Sequence, residues 1–134
     1  MTDTLRSRLD ELRLSLLTLH KALVESERVG YEKTMGPIHS PQQFLQLLTR
    51  DPWFAWLQPL SLLIVSIDEV LEEQEPLTPD RAEAVIKQAG RLLSASEAGE
   101  GFARHYFDAL QRDPDVVMAH AAATRLFNPR KPSR

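Results

Sequence analysis

The apolar residues of this chain recur every three or four positions, which is the periodicity of helices rather than of strands. The clearest case is a run of leucines in alternating steps of four and three: Leu5, Leu9, Leu12, Leu16, Leu19 and Leu23. Such a heptad seam requires a second helix along its length. No stretch shows strand-like alternation bounded by hairpin turns. The pattern therefore predicts an all-α fold.

Proline follows a capping residue at four places, and each pair marks a helix start. Ser, Thr and Asp accept hydrogen bonds from the free N–H groups of a first turn, and proline is tolerated at the next position. The four pairs are Ser40-Pro41, Asp51-Pro52, Thr78-Pro79 and Asp113-Pro114. Gly36-Pro37 is a typical C-terminal stop. We predict helices at about 4–35, 41–49, 52–74, 79–93, 96–112 and 114–127.

These helices predict a single-domain bundle of about six helices over residues 1–127. Residues 128–134 form a basic, proline-rich tail that we expect to be disordered. Pro59 should kink or split the third helix near residues 56–58. From Leu60 to Ile67 this helix is apolar nearly all round, so we expect it to be buried at the centre of the bundle.

The first helix is predicted to be longer than the diameter of a compact domain of this size. Its predicted length is roughly 45–48 Å, whereas a compact domain of this size is only about 35–40 Å across. The helix should therefore bend near Gly30 or project and contact a second subunit. A homodimer is one of the two alternatives.

The charges beside the leucine seam also indicate whether the first helix packs within its own chain or on a second copy. Arg6, Arg8 and Arg13 flank the seam, so two paired copies would bring arginines together. The stretch from Asp68 to Glu75 holds five acids and no base, which makes it a better neighbour. We predict that the arginine-rich half of the first helix lies near the end of the third helix, in the same chain or in a partner subunit.

Two groups of polar residues are candidates for a small-ligand site. His20, Glu27 and Tyr31 share one helix face, because they are seven and four residues apart. His120 lies in an apolar stripe of the last helix and needs a partner there. If His120 faced His20 or Asp68 across the core, the groups would form a buried polar site. The alternative is that each is a structural hydrogen-bonding residue.

Four apolar residues form the candidate protein-binding segment: Trp53, Phe54, Trp56 and Leu57. They lie within five residues and cannot all point in one direction. Aromatic residues are common both in cores and at interaction hot spots. The segment is therefore either core packing at the Pro59 kink or a partly exposed docking patch.

The composition excludes several classes of site. The chain has no cysteine, which excludes disulfides and thiolate metal sites. It contains neither a His-Glu-x-x-His motif nor paired Glu-x-x-His motifs, and it has no Gly-rich phosphate loop. We therefore predict no metal, no cofactor and no catalytic residue.

The expected partners and location follow from charge and hydropathy. The tail carries Arg125, Arg130, Lys131 and Arg134, but no nucleic-acid-binding module accompanies it, so nucleic-acid binding is not expected. The stretch from Leu60 to Ile67 is shorter than the roughly 20 residues of a membrane span. We expect a cytoplasmic protein without membrane association.

Three segments resemble stretches of small helical bacterial proteins that have no established function. They are LLTLHKALVESERVGYEK, DPWFAWLQPLSLLIVSIDEVL and QRDPDVVMAH, and the similarity would extend over most of the chain. The resemblance implies an all-helical, bacterial, cytoplasmic protein and implies no activity.

The leading functional hypothesis is a non-enzymatic protein–protein interaction module, with its own copy as one possible partner. The alternative is a small polar ligand-binding or catalytic site inside the bundle that uses His20, Glu27, Tyr31 and His120, with Asp68 as a further candidate.

Overall fold

The computed structural model describes residues 2–73, 76–94 and 98–127, and these form six α-helices. Within these ranges there is no strand, so the predicted all-α fold is confirmed. Two 3₁₀ segments, Pro52–Leu57 and Arg125–Phe127, lie before the third helix and after the sixth. The predicted tail at 128–134 lies outside the described residues. The helices are α1 Thr2–Met35, α2 Pro41–Arg50, α3 Gln58–Glu72, α4 Pro79–Leu92, α5 Phe102–Arg112 and α6 Pro114–Thr124.

All four predicted caps form. Ser40 accepts a hydrogen bond from the Gln43 N–H, and Thr78 accepts one from the Arg81 N–H. Asp51 and Asp113 do the same for the segments that begin at Pro52 and Pro114. Gly36 follows α1 with φ 109°, a left-handed conformation that suits glycine and ends the helix.

The third helix is split at the predicted place, because the 3₁₀ segment ends at Leu57 and α3 begins at Gln58. The fifth helix begins at Phe102, later than the predicted residue 96. Gly101, with φ 59°, precedes it and interrupts the helical backbone.

The leucine seam of α1 forms the middle of the core. Leu9, Leu12, Leu16, Leu19 and Leu23 are at most 1% exposed. They are covered within the chain by α3, α4 and α6, which all pack on α1. The seam therefore finds its partner helices in its own bundle, and self-association along it is not needed. The helix is also uninterrupted at Gly30, where a Cβ would lie 3.7 Å from the Trp53 ring.

The third helix has a buried face and an exposed face. Five of its side chains are in the core: Leu60, Leu63, Ile64, Ile67 and Val70. Leu62 and Val65 point outward and are 59% and 49% exposed. The helix is buried along one side, but α1, not α3, occupies the centre of the bundle.

The N-terminal half of α1 lies against the end of α3 in the same chain, as its charges predicted. Arg6 donates hydrogen bonds of 2.7 and 3.0 Å to the carbonyl oxygens of Leu71 and Glu73. The Arg13 Nε lies 3.5 Å from the Asp68 carboxylate. These contacts fix α1 and α3 as antiparallel neighbours.

One stretch meets the length and composition of a membrane-spanning helix. It is Pro52–Glu72, with 21 residues, which is longer than the apolar stretch recognised in the sequence because it includes the 3₁₀ segment. A core helix of a bundle has the same properties, and 39% of its most apolar window is buried inside the chain. The absence of membrane association stays a prediction.

Candidate functional site

The register between α1 and α3 places His20 opposite Ser61. Arg13 pairs with Asp68, and one heptad further along each antiparallel helix come His20 and Ser61. The His20 Nε2 and Ser61 Oγ are 2.9 Å apart, within hydrogen-bonding distance. The pair lies at the edge of the core, where both side chains are partly buried.

A cleft of about 420 Å³ opens at this pair. Its walls come from α1, the end of α2, the Pro52–Leu57 segment and the start of α3. The floor is apolar, because Phe54 and Leu57 are core residues. The lining residues are His20, Leu48, Thr49, Arg50, Asp51, Phe54, Ala55, Leu57, Gln58 and Ser61.

The polar groups of the cleft differ in whether they already have a hydrogen-bond or ion-pair partner within the chain. Burial lowers the pKa of His20, so its imidazole is neutral at pH 7 and offers one donor and one acceptor nitrogen. Asp51 accepts a hydrogen bond from the Trp53 N–H at 2.9 Å. Arg50, by contrast, makes no ion pair or side-chain hydrogen bond with any described residue. The cleft therefore combines a neutral histidine, a hydroxyl and an unpaired guanidinium.

Glu27 and Tyr31 share the α1 face with His20 but do not join the cleft. The Glu27 carboxylate accepts a hydrogen bond from Arg112 of α5, whose Nε also binds the Ser26 hydroxyl at 3.1 Å. Tyr31 packs on Trp53 and Phe54, with ring centroids 5.5 and 5.7 Å apart. Both residues tie α1 to neighbouring segments.

His120 lies in a different environment from His20. Its Nδ1 is 2.5 Å from the hydroxyl of Tyr106, a fully buried residue of α5. Burial raises the pKa of Tyr106 and lowers that of His120, so the phenol donates and the neutral imidazole accepts. His120 does not line the His20 cleft, and Asp68 pairs with Arg13. The hypothesised juxtaposition of His20 with His120 or Asp68 is therefore not formed.

The candidate protein-binding segment, here called the aromatic segment, lies partly in the core and partly at the edge of the core. Phe54 and Leu57 are 2% and 3% exposed. Trp53 and Trp56 are partly buried, and Trp56 stacks on His105 with ring centroids 5.2 Å apart. The indole N–H groups of both tryptophans are buried without an acceptor among the described residues. The segment mainly packs the bundle rather than forming an exposed docking patch.

Most of the cleft residues were not singled out from the sequence. Ser61, Arg50 and Gln58 carry no motif, and Asp51 was recognised only as a helix cap. These four residues lie within twelve positions of the sequence, and His20 joins them only in the folded chain. A usable signal was present, however. The predicted pairing of Arg13 with the acidic end of α3 sets a register, and extending it by one heptad gives His20 and Ser61.

The described residues contain no group of three His, Asp or Glu side chains placed to bind a metal ion. Comparisons of the chain with protein-family models, with curated proteins and with solved structures found no match.

Proposed function

We propose that this protein binds a small organic ligand bearing a carboxylate in the His20 cleft. The observation that carries the proposal is the 2.9 Å contact of His20 with Ser61 in the wall of a cleft of about 420 Å³, which also contains Arg50, an arginine without an ion-pair partner in the described part of the chain. Small-molecule sites are concave, mostly apolar and of roughly 300–1,000 Å³, with a few convergent polar groups. The His20 cleft has these properties.

Each part of such a ligand has a counterpart in the cleft. Arg50 suits the carboxylate, because a guanidinium binds it with two parallel hydrogen bonds. His20, Ser61 and Gln58 offer neutral hydrogen-bonding groups. Leu48, Phe54 and Leu57 offer apolar surface for the ligand body. The proposal retains His20 from the sequence-based ligand hypothesis and replaces its other residues.

The proposal is one of binding rather than catalysis. A histidine beside a serine hydroxyl is the beginning of a nucleophile–base pair, but such pairs need a third group to orient the base. No described residue forms a hydrogen bond with the second ring nitrogen of His20. The expectation of a non-enzymatic protein is kept as part of the proposal.

The test uses purified protein and a panel of defined carboxylates: acetate, succinate, citrate and benzoate, each compared with its amide. We expect at least one acid, and not its amide, to raise the melting temperature and to shift the His20 Cε1–H NMR resonance. Arg50→Gln and Ser61→Ala should weaken the response. Lys87→Gln and His39→Gln, which change exposed residues outside the cleft, should leave it unchanged.

Two results would contradict the proposal. One is a panel in which no acid moves the His20 resonance at millimolar concentration. The other is a response that survives Arg50→Gln, because the carboxylate would then bind elsewhere.

A second candidate function is binding to another protein, the leading hypothesis from the sequence. Two features that motivated it, the leucine seam and the tryptophan-rich segment, support it less, because the seam and most of that segment are used inside the bundle. A different observation favours it, namely the exposed apolar side chains of α3. Leu62 and Val65 lie on the solvent-facing side of α3, where a surface helix normally carries polar residues.

A further inference from the structure

The wall of the His20 cleft carries a base and an acid at consecutive positions. Arg50 is the last residue of α2, Asp51 follows it, and both line the cleft. Although they are neighbours of opposite charge, the guanidinium and the carboxylate form no ion pair with each other. Within the described part of the chain, neither has another ion-pair partner. The cleft therefore presents two unlike charges to a ligand.

A helix cap holds the Asp51 side chain in place. Its Oδ1 accepts a hydrogen bond of 2.9 Å from the Trp53 N–H and caps the segment that begins at Pro52. The second oxygen, Oδ2, has no hydrogen bond with any described residue, and Asp51 is partly buried. A carboxylate oxygen accepts more than one hydrogen bond. Asp51 is therefore a fixed acceptor with capacity left for a donor from the ligand.

The C-terminal end of α2 makes the same part of the wall more negative. The last carbonyl groups of an α-helix lack intrahelical donors, and this end of the helix carries a partial negative charge. The Asp51 N–H binds the Leu47 carbonyl, but the Leu48 carbonyl has no such donor, because Pro52 lacks an N–H. Leu48 also lines the cleft. A cationic group on the ligand is therefore favoured beside Asp51.

We propose that the ligand of the His20 cleft is a free α-amino acid with an apolar side chain. The inference rests on the proposed function and names the class of carboxylate. The carboxylate of the amino acid pairs with Arg50, and its ammonium group donates to Asp51. Its side chain lies on the apolar floor formed by Phe54 and Leu57. Both charged groups of an α-amino acid are attached to one carbon, which matches a base and an acid from consecutive residues.

Other carboxylates with the same apolar body match the cleft less well. An acid without an ammonium group leaves Asp51 unpaired and brings a second negative charge near it, which is unfavourable. A peptide C-terminus has a neutral amide in place of the ammonium group, so it satisfies Arg50 but loses the ionic contact with Asp51. An amine without a carboxylate leaves Arg50 unpaired. The two charges together therefore select the free amino acid.

The test compares four ligands that share one apolar body. They are leucine, 4-methylpentanoate, which lacks the ammonium group, 3-methylbutylamine, which lacks the carboxylate, and N-acetyl-leucine, which imitates a peptide C-terminus. Titration of the His20 Cε1–H NMR resonance gives the Kd of each. We expect leucine to bind on the order of fivefold more tightly than each analogue, as for one charge-assisted contact at a partly exposed site.

The variant Asp51→Asn separates the ammonium contact from damage to the fold. Asn caps a helix about as well as Asp, so the hydrogen bond to the Trp53 N–H is kept. The variant should weaken leucine binding roughly fivefold and tighten the binding of 4-methylpentanoate, because it removes an attraction in one case and a repulsion in the other. A distorted cleft would weaken both ligands, and that result would contradict the inference.

Asp113→Asn is the matched control. Asp113 also precedes a proline and caps a helix, because it accepts the Asp115 N–H at 2.9 Å, but it does not line the cleft. This variant should change neither Kd. If it altered the preference for leucine as much as Asp51→Asn does, the preference would not come from the cleft and the inference would fail.

The remaining outcomes separate this inference from the proposed function. Equal Kd values for leucine and 4-methylpentanoate would overturn the amino-acid assignment and leave the carboxylate proposal standing. N-acetyl-leucine that binds as tightly as leucine would assign the cleft to a peptide C-terminus and overturn the assignment too. A panel in which no ligand moves the His20 resonance would refute both.

A second groove beside the same charges gives one further outcome. Arg50 and Asp51 also line this groove of about 390 Å³, together with Gln43, Gln46, Leu47 and Pro52. Leucine bound there would shift the side-chain amide resonances of the two glutamines and leave His20 unmoved. That result would overturn the placement of the amino acid in the His20 cleft.

Discussion

At the scale of single residues, the Tyr106–His120 pair shows how the bundle accommodates a histidine in an apolar stripe. Tyr106 is fully buried and its raised pKa keeps the hydroxyl protonated, so it donates to the His120 Nδ1. The imidazole proton must then reside on Nε2. The histidine is stabilised as a neutral acceptor by the neighbouring helix, not by an acid.

Removing this donor should destabilise the fold measurably. We expect Tyr106→Phe to lower the free energy of unfolding by about 1–2 kcal/mol, because the buried acceptor loses its partner. Urea denaturation measures the change. Tyr31→Phe is the control, since the Tyr31 hydroxyl has no hydrogen bond within the described residues, and it should change the free energy by less than about 0.5 kcal/mol. Equal losses in the two variants would show that the hydroxyl of Tyr106 is not specifically used.

The two histidines with lowered pKa should make the protein less stable in acid. Burial lowers the pKa of His20 and of His120 below the ordinary 6.5, so the unfolded chain takes up protons first. The free energy of unfolding is therefore unaffected by these groups above pH 6.5 and falls as the pH drops from there through the lowered pKa values.

Chemical denaturation at a series of pH values between neutral and mildly acid measures this slope. The double variant His20→Gln with His120→Gln should flatten it, whereas His39→Gln, at an exposed position, should not. An unchanged slope in the double variant would mean that carboxylates account for the acid sensitivity.

At the scale of the element, α1 illustrates how adjacent residues have opposite roles. Leu16 is fully buried against the other helices, whereas the next residue, Leu17, is 39% exposed. The heptad spacing distinguishes them, because Leu16 belongs to the seam and Leu17 does not. The buried face of α1 can therefore be probed by a comparison within one turn.

We expect Leu16→Ala to lower the free energy of unfolding by about 2–5 kcal/mol, because it opens a cavity in a close-packed core. Leu17→Ala should lower it by less than about 1 kcal/mol, since much of its surface is already in water. Denaturant titration of the two variants measures the difference. If both lost the same amount, the seam would not be the centre of the core.

At the scale of the whole molecule, a polar contact connects α1 with α5, two helices that lie far apart in the sequence. Glu27 of α1 is 9% exposed and pairs with Arg112 of α5, a residue 85 positions later. The pair holds the C-terminal end of α5 against the C-terminal half of α1. It contrasts with the pair of Arg13 and Asp68, in which the carboxylate side chain is 43% exposed, against 11% for Glu27.

A double-mutant cycle compares the two ion pairs. We expect a coupling energy of roughly 1–3 kcal/mol between Glu27→Gln and Arg112→Gln, because the carboxylate is mostly removed from water. The cycle with Arg13→Gln and Asp68→Asn should give less than about 1 kcal/mol, the usual value for exposed pairs. Equal coupling energies would indicate that burial does not strengthen the Glu27 contact.

The sequence by itself determined the elements of this protein. Capping residues, prolines and three-to-four periodicity act over a few positions, so they specified the helix starts, the break before Pro59 and the stop at Gly36 without reference to the rest of the chain. The charges of Arg6 and Arg13 also indicated which end of α3 they would meet. The start of α5 was misplaced because glycine at 101 takes a conformation that periodicity does not reveal.

Only the tertiary structure decided which polar residues share a site. The sequence placed His20 on a polar face of α1 and His120 in an apolar stripe of α6, and it left open whether they share a site. In the structure His20 bonds to Ser61 of α3 and His120 bonds to Tyr106 of α5. Helical periodicity gives the face of a residue on its own helix but not the residue opposite, which depends on how four or more segments pack together. For the same reason, only the assembled bundle shows which apolar residues of α3 are exposed to solvent, namely Leu62 and Val65.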